Sequence, residues 1–337
     1  MGKEESEPFE VSNLLAAFAH PYVERQLLIL GEPGAGKTTA LLTLAEALLA
    51  QTAGTEQFPY IFELSAWDGE QDILPWLTAQ LKFDYGIDER VSHGWITGHQ
   101  LIPLLDGLDE LNMSVLSKCV EKINAFASLP DQQVVVCCRT EEYAEGRSKL
   151  KALKGALRLK PLSDGQIEQY LREIGRRDIW RALKTQPELV ALLSQSEDSE
   201  EEGQKAFLRV PLFLQMLVAV YERDRPITDK KALFEVYIER QLGEDGRLQA
   251  RQGRGEEGEG WAYKRQENEP SAAETKRYLS WLARKLQEND STNNFLIEQM
   301  QPSWLETTAH KWQYRLIVGL ISGLIVSLTV GLIYGLK

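Results

Sequence analysis

The sequence predicts an α/β fold, a doubly wound parallel sheet with a phosphate-binding loop at its edge, and three observations carry that expectation. Residues 31 to 38 read Gly-Glu-Pro-Gly-Ala-Gly-Lys-Thr, a full match to G-x-x-x-x-G-K-[ST], directly after the apolar run Gln26-Leu27-Leu28-Ile29-Leu30. A second apolar run, Leu101-Ile102-Pro103-Leu104-Leu105, ends in the acidic string Asp106-Gly107-Leu108-Asp109-Glu110. From Val11 to Pro161, short apolar runs alternate with helical patterns, as in a sheet whose crossovers are helices.

The elements follow in order. Residues 1–10 are polar, read as disordered, and show no signal-peptide pattern. Strands are expected near 26–30, 60–65, 101–105 and 134–138, and helices at 37–50, 70–82 and 114–128, so that 11–161 forms one nucleotide-binding domain. Residues 162–242 are helical in pattern, broken by the acidic loop Ser196–Gly203. Residues 243–270, rich in Gly, Glu, Arg and Gln, read as a flexible insertion. Ser271–Glu288 is amphipathic, with Tyr278, Leu279, Leu282 and Leu286 on one side.

The chemistry sits where the strands end. A buried strand that turns through glycines into a helix aims backbone N–H groups and the positive helix end at one point, a site for phosphate. Gly31, Glu32, Pro33, Gly34, Ala35, Gly36, Lys37, Thr38 and Thr39 form the candidate nucleotide loop. Within it Lys37 reaches the β/γ oxygens, and the Thr38 hydroxyl is placed to ligate Mg²⁺. Asp106, at the carboxyl end of the second run, is the other expected metal residue. Asp109 and Glu110 are candidates to orient and deprotonate the attacking water, Glu110 being favoured. The run Val134-Val135-Val136-Cys137-Cys138 ends in Arg139, an arginine positioned to contact a γ-phosphate.

Together these residues resemble the NACHT branch of the STAND signalling ATPases. The match rests on the GEPGAGKTT loop, on LLDGLDEL and on VVVCCRT, with smaller echoes at Phe62–Trp67, Leu159–Ser163 and Val210–Leu214. It spans roughly residues 10 to 310. The resemblance implies a P-loop NTPase domain at 11–161, a helical lid at 162–242 and a partial winged-helix-like region at 271–310. It also implies that Pro211 contacts the nucleotide, that the chain is a slow regulatory ATP hydrolase using ATP or ADP with Mg²⁺, and that it forms a homo-oligomer on activation in signalling or antiviral defence. No Met-His-Asp latch, which some relatives use to hold ADP, is found in the sequence.

Other classes fit less well. Leu162-Ser163-Asp164-Gly165-Gln166 resembles the signature of ABC transport ATPases, but there that signature precedes the acidic strand, whereas here it follows Asp106. Ser163 and Gln166 instead read as a helix start. No Asn-Lys-x-Asp string points to guanine. A net charge of −12 argues against a general nucleic-acid surface. Three cysteines, two of them adjacent, give no disulfide framework and fit a reducing cytosol. A scaffold that only binds nucleotide is the remaining alternative.

The tail is the second informative feature. Leu316 to Leu336 carries no charge, and at ~1.5 Å per residue it reaches the ~30 Å of a hydrocarbon core. It is read as a transmembrane helix in contact with lipid. Lys311 and Arg315 just before it favour a cytoplasmic nucleotide domain, and Gly319, Gly323, Ser327, Gly331 and Gly335 form a small-residue ridge suited to helix pairing. The span ends one residue before Lys337, which leaves room for repeats or a sensor domain beyond it.

Overall fold

The computed structural model describes residues 14–51, 57–67, 69–111, 113–140, 149–194, 207–243, 269–288, 308–309, 311–318 and 320. They begin with a short helix, α1 (Leu14–Phe18), and the strand β1 (Gln26–Gly31), which passes through the glycine loop into α2 (Lys37–Gln51). Next come β2 (Phe58–Glu63), α3 (Ile73–Tyr85), α4 (Glu89–Thr97), β3 (Leu101–Asp106), α5 (Met113–Ala127), β4 (Val134–Arg139) and β5 (Gly155–Arg158). The five strands form one sheet in the order β2-β3-β4-β1-β5. Every pairing is parallel.

A parallel sheet is covered on both faces, so its strands are apolar throughout rather than alternating. Successive side chains still go to opposite sides. Leu28, Leu101, Leu105, Val134, Val136 and Cys138 pack with α3, α4 and α5, while Leu27, Ile29, Ile102, Leu104, Val135 and Cys137 pack with α1 and α2. The expected strands and helices are present, with two shifts. The second strand spans Phe58–Glu63 rather than 60–65, because Leu64–Ala66 is a 3₁₀ turn closed by the Trp67 N–H donating to the Leu64 carbonyl at 2.9 Å. The next helix begins at Ile73 rather than 70, after an extended Asp72.

Beyond the sheet a helical region builds its own core. It contains α6 (Asp164–Glu173), α7 (Arg177–Thr185), α8 (Pro187–Leu193), α9 (Pro211–Val220) and α10 (Lys230–Leu242). Ile167, Leu171, Ile179, Leu183, Leu189, Leu214, Leu217 and Leu233 meet at its centre. The transporter-like string is a helix start. The Ser163 hydroxyl accepts from the Gln166 N–H, and the Gln166 side chain accepts from the Ser163 N–H at 2.9 Å, a reciprocal cap.

The chain divides into two units, Met1–Lys276 and Arg277–Lys337. A further helix, α11 (Ala272–Glu288), has no buried side chain, and its Tyr278 and Leu279 are exposed. The acidic loop 196–203, nearly all of the insertion 243–270 and half of the winged-helix-like stretch 271–310 lie outside the described residues. The same holds for the expected transmembrane span apart from 316–318 and 320, which are helical. Among the described residues, no helix is long and apolar enough to cross a membrane.

Candidate functional site

Parallel pairing puts the carboxyl ends of the strands on one edge, with Gly31 opposite Arg139 and Glu63 opposite Asp106. Ligands of open α/β sheets bind in the crevice at that edge. The sheet therefore gathers there every strand-end group that the sequence nominates.

The glycine loop leaves β1 and returns into α2 through Gly34 (φ 75°) and Gly36 (φ 91°). Inside it the Ala35 N–H donates to the Glu32 carbonyl at 3.0 Å, Pro33 is exposed, and Glu32 is half-buried. The Lys37 Nζ donates to the Gly31 carbonyl at 3.2 Å, which folds the ammonium back over its own loop. Thr39 is exposed in the first turn of α2. The buried Cys137 thiol lies beneath that turn and donates to the Lys37 carbonyl at 4.0 Å. Burial and then Asp106 push this thiol well above the ordinary range, so it remains protonated.

Two oxygen groups meet at the expected metal residues. The Thr38 hydroxyl donates to Asp106 Oδ2 at 2.6 Å, and Asp106 Oδ1 accepts from the Gly107 N–H at 2.9 Å. A hydroxyl and a carboxylate this close, at the start of α2 and the end of β3, fit the hard oxygen chemistry of Mg²⁺. Gly107 sits at φ 76°, and a Cβ there would lie 3.3 Å from the Glu110 carboxyl carbon. Glycine takes this left-handed conformation without strain and leaves room for the Glu110 carboxyl against its backbone.

The two remaining acids take different positions. Asp109 is 5% exposed and turns both oxygens to the end of β4: Oδ2 pairs with Arg139 Nε at 2.7 Å, and Oδ1 accepts the Arg139 N–H at 3.1 Å. It is an anchor for the arginine. Glu110 is half-buried, and its carboxylate folds back against Gly107. The sequence favours Glu110 over Asp109 but holds no sign of the Asp109–Arg139 pair, which joins residues from different strand ends. Asp109→Ala should remove the ion pair and the backbone hydrogen bond that Asp109 makes with the half-buried Arg139 and cost about 1–3 kcal/mol of stability. Chemical denaturation of the variant against the wild type reads this, and an unchanged midpoint would remove the clamp.

The helical region reaches the loop through Leu212. Its N–H donates to the Gly34 carbonyl at 3.3 Å, and a Cβ on Gly34 would meet the Leu212 Cβ at 2.8 Å. Pro211, the expected nucleotide contact, opens α9 one residue earlier, where its missing N–H costs nothing. Arg209 holds this segment in place, donating to the Leu162 carbonyl at 2.8 Å, to the Leu193 carbonyl at 3.1 Å and to Asp164 at 2.7 Å. Lys184 and then Arg209 hold the Asp164 carboxyl below its ordinary range. The contacts made by Leu212 and Arg209 had no signature in the sequence beyond the nearby proline.

With this geometry in place, the class is defined by an α/β sheet carrying a phosphate-binding loop and a facing metal-type aspartate. Residues 25–178 match the family model of the NACHT domain, so this stretch is a NACHT-type P-loop NTPase domain. Such a domain implies nucleotide binding, typically with Mg²⁺, and NTP hydrolysis. No curated protein matches the chain. Among solved structures it is similar to the ORC1 protein of Aeropyrum pernix in complex with DNA, at 14% identity and a TM-score of 0.40, over 69% of this chain and 65% of that one. It is similar to a chain of the HORMA:CdnC:Trip13 complex of E. coli MS115-1, at 14% identity and a TM-score of 0.38, over 67% of this chain and 83% of that one. A third is the RuvB Holliday junction branch migration motor of Thermotoga maritima, at 14% identity and a TM-score of 0.33, over 70% of each chain. At such identities the likeness concerns the fold alone.

Proposed function

We propose that the chain is an ATP-dependent regulatory switch of the STAND type, a slow Mg²⁺-dependent ATP hydrolase tethered to a membrane by residues 316–336. The observation that supports it best is the 2.6 Å contact between the Thr38 hydroxyl and Asp106, which joins the phosphate loop to the acidic strand end. Lys37 would hold the β/γ oxygens of ATP or ADP, and the loop from Gly31 to Thr39 would wrap the phosphates. Thr38 and Asp106 would hold Mg²⁺, which when bound neutralises charge on the phosphates. Glu110 would orient and deprotonate the attacking water. Arg139, set by Asp109, would meet the γ-phosphate, and Pro211 and its helix would close over the nucleotide.

The charge-free tail and its small-residue ridge support anchoring with the nucleotide domain on the cytoplasmic side, and self-association on activation. A role in signalling or defence follows from the resemblance alone. Purified full-length chain should turn over ATP only with Mg²⁺ and should fractionate with membranes. Binding without turnover would leave a nucleotide-stabilised scaffold, and a detergent-free soluble monomer would remove the tether.

A further inference from the structure

A second charged cavity lies in the helical region. The helix α7 places Arg177, Trp180, Arg181 and Lys184 on one stripe, at the i, i+3, i+4 and i+7 spacing of a single face, while Ile179, Ala182 and Leu183 are buried on the other side. Arg172 and Glu168 of α6 stand beside that stripe, and together with Thr185 these side chains line a cavity of about 550 Å³. Cavities of this size suit small molecules.

Its charge is unbalanced. Four cations face one lining carboxylate in a chain whose net charge is −12. Arg172 pairs with Glu168 at 2.9 Å, and Lys184 pairs with Asp164 at 2.5 Å while lying 4.5 Å from the centre of the Trp180 ring. Arg177 and Arg181 are exposed and form no ion pair among the described residues. They sit at i and i+4, where like charges repel, and Lys184 adds a third cation next to Arg181. An anion in the cavity would relieve that repulsion. Guanidinium forks match phosphate oxygens two at a time, so a phosphate group suits three arginines better than a single carboxylate does.

We propose that this cavity between α6 and α7 is a second anion site, distinct from the glycine loop, and that it takes a small molecule bearing a di- or polyphosphate. Arg177 and Arg181 are its principal contacts, and Trp180 with the Lys184 stem forms one wall.

Titration of inorganic pyrophosphate into the full-length chain tests this, with Lys37→Ala in the background so that the glycine loop does not contribute. Binding should persist in Lys37→Ala, weaken with added salt, and fall at least about tenfold when Arg177→Gln and Arg181→Gln are combined with it. Arg181→Glu, a single change at an exposed position, should weaken it as well and serves if the combined variant does not fold. No pyrophosphate binding in Lys37→Ala, or equal affinity with and without the two arginines, would overturn the proposal. ATP hydrolysis by the chain with an intact Lys37 should survive the arginine changes, so failure here is separable from failure at the glycine loop.

Discussion

Glu110→Gln is expected to leave nucleotide affinity near that of the wild type and to lower turnover about 10²- to 10⁴-fold, the range of a positioned general base. The reason is geometric. Asp109 is committed through both oxygens to the Arg139 Nε and N–H, whereas the Glu110 carboxyl folds back over Gly107, the residue that follows Asp106. Glutamine keeps the shape and one acceptor but cannot take a proton. Steady-state hydrolysis and calorimetric ATP binding, measured on the same preparation, separate the two effects. If Asp109→Asn gives the selective loss of turnover and Glu110→Gln does not, the roles of the two acids are reversed.

Lys37→Ala should lower ATP and ADP affinity roughly ten- to a hundredfold or more. A charge-assisted contact to phosphate contributes about 1.5–3 kcal/mol, and about 1.4 kcal/mol is a factor of ten. The fold should survive, because the ammonium bonds at 3.2 Å to the Gly31 carbonyl and the side chain is only half-buried. Unchanged affinity by calorimetry would take the loop out of the nucleotide site.

Much of the sheet was readable because parallel strands are apolar on both faces and stand out as uninterrupted runs. The strands at 26–31, 101–106 and 134–139 each extend one residue past the run that predicts them. The strand β5 escapes the same reading. Its four residues alternate at the sheet margin, and Leu157 is its only large apolar side chain. The helix α4 also escapes, since it buries little beyond Ser92 and Ile96 and contains a glycine. At the site, the loop and Asp106 were legible from spacing within one segment. The division of labour between Asp109 and Glu110 was not, because it depends on which strand end lies across the crevice. For the same reason the sequence held no sign that Leu212, the residue after Pro211, bonds to the loop.

The hydrogen bond from Leu212 to the Gly34 carbonyl ties the phosphate loop to the helical region: its backbone and the first turn of α9 share a bond and a close approach. A nucleotide that reshapes the loop must work against that turn, and through Arg209 against α6 and α8 as well. Thermodynamic reciprocity then applies. Whatever factor the nucleotide imposes on the arrangement of these helices, a partner gripping the helices imposes on nucleotide affinity.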